Sequence, residues 1–170
     1  MAPVAVIVGA PGAGKSSVGK RVAQQLGVPF ADSDTLVEKR AGKAVADVFV
    51  SDGEDAFRAM EYEEIRSALQ EFPGVLSLGG GAVLDDRTRQ ALQDQRVVWL
   101  QVDLASATGR VGMNSARPLL LGNVRSTMIT MLEERTPLYD EIADYRIDTS
   151  GRTLKDVVAE TVAALKAADD

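Results

Sequence analysis

A run of apolar, mostly β-branched residues at 4–8 stops at glycine, and the chain then reads Gly9-Ala10-Pro11-Gly12-Ala13-Gly14-Lys15-Ser16. Apolar residues resume at helical spacing with Val18, Val22, Ala23 and Leu26. This is the pattern G-x-x-x-x-G-K-[ST], with a strand before it and a helix after it. Small residues let backbone N–H groups turn inward around phosphate oxygens, and the helix aims its positive end at the same point. Lys15 adds a point charge that can reach β- and γ-phosphates, and Ser16 offers a hydroxyl to a divalent cation. The motif implies a bound nucleoside triphosphate, yet switches, motors and small-molecule kinases all carry it.

The rest of the chain alternates strand and helix. Buried strands are predicted at 4–8, 28–31, 75–78, 97–102 and 145–148. Helices are predicted at 15–26, 34–41, 44–50, 54–71, 85–93, 104–111, 124–136 and 153–167. Strands separated by helices and short loops imply a three-layer α/β sandwich: a central parallel sheet of about five strands flanked by helices. The 170 residues fit one domain over 1–170, with a core at 1–111 and 124–170 and a lid at about 112–123. Ligands of such sheets bind beyond the carboxyl ends of the strands. Asp32-Ser33-Asp34 and Gly79-Gly80-Gly81 each follow a predicted strand, as the phosphate motif does, so all three gather at one edge.

Composition narrows the chemistry. The net charge of −6 argues against a nucleic-acid or membrane-surface binder, which needs a basic face. No cysteine and no histidine are present, so thiolate chemistry, disulfides and imidazole bases are excluded. Proton transfer falls to Asp, Glu, Lys or Tyr. The apolar N-terminus is short and lacks a basic lead, and no apolar run reaches the roughly 18 residues of a membrane span. A cytoplasmic enzyme is expected.

Taken in order, several motifs make the sequence resemble the shikimate kinases, P-loop proteins of the nucleoside-monophosphate-kinase-like group. They are the phosphate motif at 9–16, Asp32-x-Asp34, Phe57-Arg58, Gly79-Gly80-Gly81, Arg117-Pro118-Leu119-Leu120 and Arg135-x-Pro137-Leu138-Tyr139. The resemblance implies a P-loop NTPase fold and transfer of the γ-phosphoryl group of ATP to the 3-hydroxyl of shikimate, within aromatic amino-acid biosynthesis. It implies nucleotide contacts from Gly12, Ala13, Gly14, Lys15, Ser16, Ser17, Arg110, Arg117 and Arg152. It implies Mg²⁺ held by Ser16 and Asp32. Substrate contacts are implied for Asp34, Arg58, Gly79, Gly80, Gly81 and Arg135, and a catalytic role for Lys15, Asp34 and Arg117. The expected partners are ATP, ADP and shikimate, with no nucleic acid or membrane, and the expected state is a monomer.

The chemistry of these residues suits that role. Guanidinium forks pair bidentately with carboxylates, so Arg58 and Arg135 explain how an acidic protein retains an acid. Mg²⁺ takes few protein ligands and keeps its waters. A lid at 112–123 excludes water and brings Arg117 to the transferred group. The chain departs from the family at Ser150-Gly151-Arg152-Thr153, which lacks a proline expected beside the adenine.

Alternatives stand beside each reading. The Asp pair can simply cap the next helix, and Arg58 can form an exposed pair with Glu61. Glu61, Glu63 and Glu64 read as one solvated helix face, and Trp99 as core filling. Asp34 either removes a proton or only orients the hydroxyl. At the level of function the rivals are a related kinase acting on another polyol, such as gluconate, and a non-catalytic nucleotide switch.

Overall fold

The computed structural model describes residues 3–112 and 124–169. Its elements are β1 (Ala5–Val8), α1 (Lys15–Leu26), β2 (Phe30–Asp32), α2 (Ser33–Ala41), α3 (Val45–Asp52), α4 (Glu54–Glu71), β3 (Val75–Ser77), a 3-10 turn (Ala82–Leu84), α5 (Asp86–Ala91), β4 (Val97–Gln101), α6 (Leu104–Gly112), α7 (Val124–Ile142), β5 (Tyr145–Asp148) and α8 (Leu154–Asp169). The five strands form one sheet in the order β2-β3-β1-β4-β5, and every pairing is parallel. This is the α/β sandwich expected from the alternation of strands and helices.

Successive residues of a strand point to opposite faces, and the two cores divide accordingly. Ala5 and Ile7 of β1 pack with Val18, Val22, Val157 and Val162 of α1 and α8. Val6 and Val8 face the other way, against Ile65, Leu69, Trp99 and Tyr139. A smaller apolar cluster of Val37, Val48 and Phe57 ties α2, α3 and α4 into a unit beside β2.

Most boundaries shift by one or two residues from expectation, and three of the differences are instructive. β2 starts at Phe30, because Val28 donates its N–H back to Ala23 at 3.0 Å, in the turn that closes α1, and Pro29 has none to donate. A 3-10 turn precedes α5, which ends at Ala91. α7 continues through Pro137 to Ile142 instead of stopping at 136. Proline there forfeits one backbone bond, but Leu132, Leu138, Tyr139 and Ile142 all pack on the sheet across the break, which outweighs it. Residues 113–123 of the expected lid, with Arg117, lie outside the described residues.

Candidate active site

α1 begins at Gly14, which caps it in the left-handed conformation with no side chain over its first turn and no acidic residue within it. Its leading N–H groups are therefore left for a ligand, and the helix dipole favours an anion. Lys15 folds back over this turn and donates Nζ to the carbonyls of Gly9 at 2.8 Å and Ala10 at 3.2 Å. Ser16 Oγ donates to Asp32 Oδ2 at 2.8 Å, while Asp32 Oδ1 accepts the N–H of Asp34 at 2.9 Å. Asp32 does cap α2, and its second oxygen still faces the phosphate turn. Among the described residues no cluster of three or more acidic side chains is arranged to hold a metal. A cation here would draw on the paired hydroxyl and carboxylate of Ser16 and Asp32, with waters and phosphate oxygens, which are the hard donors Mg²⁺ takes.

These residues line a cavity of about 260 Å³ with Pro11, Gly12, Gly14, Ser17, Asp34, Leu78, Gly79, Gly80 and Arg110. Lys15 and Asp34, far apart in sequence, thus share one space. Arg110 reaches it from α6 and donates Nη1 to the Gly12 carbonyl at 2.8 Å. Among the described residues, two expected nucleotide contacts, Ala13 and Arg152, and three expected substrate contacts, Arg58, Gly81 and Arg135, are not among its lining residues. The methyl of Ala13 is buried and its N–H is bonded to Ala10 at 3.1 Å. Arg152 is engaged by the carbonyl of Asp148 at 2.7 Å and the carboxylate of Glu160 at 2.7 Å.

Gly79 and Gly80 of the triple glycine line the cavity, and the space around all three glycines shows why side chains are excluded. A methyl group at Gly79 would stand 2.5 Å from Asp34 Oδ1 and 3.3 Å from Glu61 Oε2. One at Gly81 would stand 2.3 Å from Arg58 Nη2, and one at Gly80 3.4 Å from Arg135 Nη1. The turn therefore touches Asp34, Arg58 and Arg135 at once. It is pinned from two sides: Ser33 Oγ accepts the Gly79 N–H at 2.9 Å, and Tyr139 donates its hydroxyl to the Gly80 carbonyl at 2.6 Å. Burial pushes the Tyr139 phenol up to about 12, so it remains a neutral donor. Arg58 Nε and Arg135 Nε are buried and make no hydrogen bond among the described residues. Two guanidinium groups with spare donors beside a carboxylate suit an acid that also bears hydroxyls.

Glu61 corrects the sequence reading. It is buried, not part of a solvated face, and accepts from Arg58 Nη1 at 2.8 Å. The pairing with Arg58 is real, but it is not on the surface: it sits directly behind the triple-glycine turn. Burial pushes the Glu61 carboxyl up to about 7 against the pull of Arg58, and the charges of Asp34 and Asp85 push the same way as burial. The signal was in the spacing: Glu61 falls on the stripe of Phe57, Ile65, Ala68 and Leu69, which faces the core. Trp99 is core filling as expected, packed at 5.8 Å from the Tyr139 ring.

Comparison with known proteins adds an independent line. The family model described as "Shikimate kinase" matches residues 11–166. A shikimate kinase of Thermobifida fusca is 48% identical over 168 residues, covering 99% of this chain and 98% of that protein. One of Rhodococcus jostii is 46% identical over 166 residues, covering 97% and 99%. Among solved structures, shikimate kinase from Acinetobacter baumannii in complex with shikimate superposes with a TM-score of 0.89 at 30% identity, covering 96% of this chain and 93% of that one.

Proposed function

The chain belongs to the shikimate kinase family, and on that premise we propose that the cavity at the strand ends is where it moves the γ-phosphoryl group of ATP to the 3-hydroxyl of shikimate. The reaction gives shikimate 3-phosphate and ADP and serves aromatic amino-acid biosynthesis, the role that membership of the family implies. The observation that carries the assignment of the site is the triple-glycine turn: Gly79 and Gly80 line the cavity with Lys15 and Asp34, and the turn packs closely on Arg58 and Arg135 behind it.

In this reading the N–H groups of the first turn of α1, with Gly12, Gly14, Ser16 and Ser17, cradle the phosphates. Lys15 exchanges the Gly9 and Ala10 carbonyls for phosphate oxygens. Arg110 meets the nucleotide from α6. Ser16 and Asp32 would hold Mg²⁺, which when bound would neutralise phosphate charge. Arg58 and Arg135 take the shikimate carboxylate as guanidinium forks. Asp34 and the backbone of Gly79, Gly80 and Gly81 take its hydroxyls. The 3-hydroxyl oxygen bonds to the γ-phosphorus as the bond to the β,γ-bridging oxygen breaks. ADP leaves with that electron pair, and the hydroxyl proton passes to the Asp34 carboxylate. Arg117, from the Arg-Pro-Leu-Leu motif, joins Lys15 on the transferred group. Such a reaction asks mainly for positioning and electrostatics, so a chain without histidine performs it unhindered.

The place of work is the cytoplasm, where ATP is available, and the active form is the monomer. Among the described residues no helix is long and apolar enough to cross a membrane, and the exposed large apolar side chains are Val50 and Ile129. ADP release should be measured with shikimate and with gluconate on the purified protein and on Asp34→Asn. Turnover with shikimate alone is expected, with a loss of about 100-fold or more in the variant. Turnover with gluconate alone, or near-normal rates in a folded Asp34→Asn, would end the assignment.

A further inference from the structure

Thr149 follows β5 directly and is buried. Its hydroxyl stands between two groups with opposite needs. Oγ1 lies 2.7 Å from the Gln101 carbonyl, which can only accept, and 3.2 Å from Arg110 Nη1, which can only donate. The single hydroxyl proton is committed to Gln101, so a lone pair is left for Arg110. The Thr149 carbonyl takes Nη2 of the same guanidinium at 3.1 Å, and the Gly12 carbonyl takes Nη1 at 2.8 Å. Three acceptors thus grip one edge of the Arg110 plane. Guanidinium N–H groups all lie in that plane, so these three bonds fix the tilt of the half-buried group.

We propose that Thr149 is a positioning residue for the nucleotide: its buried hydroxyl holds Arg110 at the tilt that presents a guanidinium face to the nucleobase, next to the phosphate turn at Gly12. The inference rests on the reading of Arg110 as a nucleotide contact. It goes further in making a residue that touches no ligand responsible for base affinity. Gln101 keeps the Thr149 N–H at 2.8 Å whether or not the hydroxyl is present, so the joint between β4 and β5 does not depend on it.

The test is steady-state kinetics on Thr149→Val, which keeps the shape and deletes the hydroxyl, on Thr149→Ser, and on Arg110→Ala. Inorganic tripolyphosphate serves as a competitor that has phosphates and no base. For Thr149→Val the KM for ATP should rise about 5- to 10-fold, the loss of one hydrogen bond to a charged group. Its kcat, its KM for shikimate and its inhibition by tripolyphosphate should stay within about twofold, and Thr149→Ser should restore the KM for ATP. Adding Thr149→Val to Arg110→Ala should cost nothing more, because the hydroxyl acts only through Arg110. If Arg110→Ala weakens ATP and Thr149→Val does not, the inference is overturned while the role of Arg110 stands. If neither weakens ATP, the reading of Arg110 falls as well. A Thr149→Val loss spread equally over both substrates and not recovered by serine marks a merely structural residue and also overturns the inference. Should Thr149→Val not fold, Thr149→Ala is read in its place by the same criteria.

Discussion

Glu61 shows how much one buried side chain can decide. Among the described residues it is the only buried acid, and burial outweighs the pull of Arg58, leaving its pKa at about 7. An unfolded chain gives up that proton near 4.5, so between about 4.5 and 7 the folded state binds more protons than the unfolded state. Stability must therefore fall as pH rises through this window and level off above it. The size is about 3 kcal/mol, from 2.5 pH units at about 1.36 kcal/mol each. Glu61→Gln has no such slope. Urea midpoints at pH 5 and pH 8 should show wild type losing more stability than Glu61→Gln between the two, and parallel losses would refute the burial argument. The same variant removes the carboxylate that orients Arg58, so its KM for shikimate should rise. This residue was misread from sequence because three glutamates in a row of charges look solvated. The apolar stripe through Phe57 and Ile65 carried the contrary signal and was outweighed by composition.

At the scale of elements, the turn after β3 is where spacing alone misleads least and geometry adds most. Gly81 has φ −93° and ψ 0°, a backbone open to any residue, so its glycine is demanded by space alone. The obstacle to a methyl group is the far end of Arg58, a flexible side chain. Gly81→Ala should therefore fold with a stability change of about 1 kcal/mol or less. It should raise the KM for shikimate about 10-fold by displacing Arg58, with the KM for ATP unchanged. Titrations of the two substrates distinguish this from general damage, which would weaken both.

Helix α4 and strand β5 were readable to the residue from periodicity and turn chemistry. α7 was not, because Pro137 is a local stop signal and the contacts that override it, from Leu138, Tyr139 and Ile142 onto the sheet, are tertiary. The glycines, aspartates and arginines of the site were recognisable as types in order. The supports behind them, Ser33 on Gly79, Tyr139 on Gly80 and Thr149 on Arg110, join segments between 39 and 59 residues apart. No local pattern encodes such a partner.

For the whole molecule, the strand order β2-β3-β1-β4-β5 puts β1 at the centre, between β3 and β4. The chain winds outward from it in both directions, so the turn after β1 lies beside the triple-glycine turn after β3 on one side and the turn after β4 on the other. A ligand in the cavity thus touches loops from most of the sheet, and binding energy feeds into global stability. ADP at 100 times its Kd should stabilise the fold by about 2.7 kcal/mol. For a chain of 170 residues that is roughly 5–10 °C in Tm. The same addition to Lys15→Ala should give a smaller shift. An equal shift in the two proteins would show that ADP is held elsewhere.

Trp99 fills the core, and its place gives that packing a practical consequence. It is the only tryptophan of the chain. Its indole rests on the Tyr139 ring, whose hydroxyl holds the Gly80 carbonyl. Any ligand that shifts the glycine wall is passed on to the indole through one aromatic contact. Intrinsic emission excited at the red edge of protein absorbance should then change with shikimate concentration and saturate, and Tyr139→Phe should flatten that response. The enzyme carries its own optical gauge of acceptor binding, one aromatic ring removed from the site.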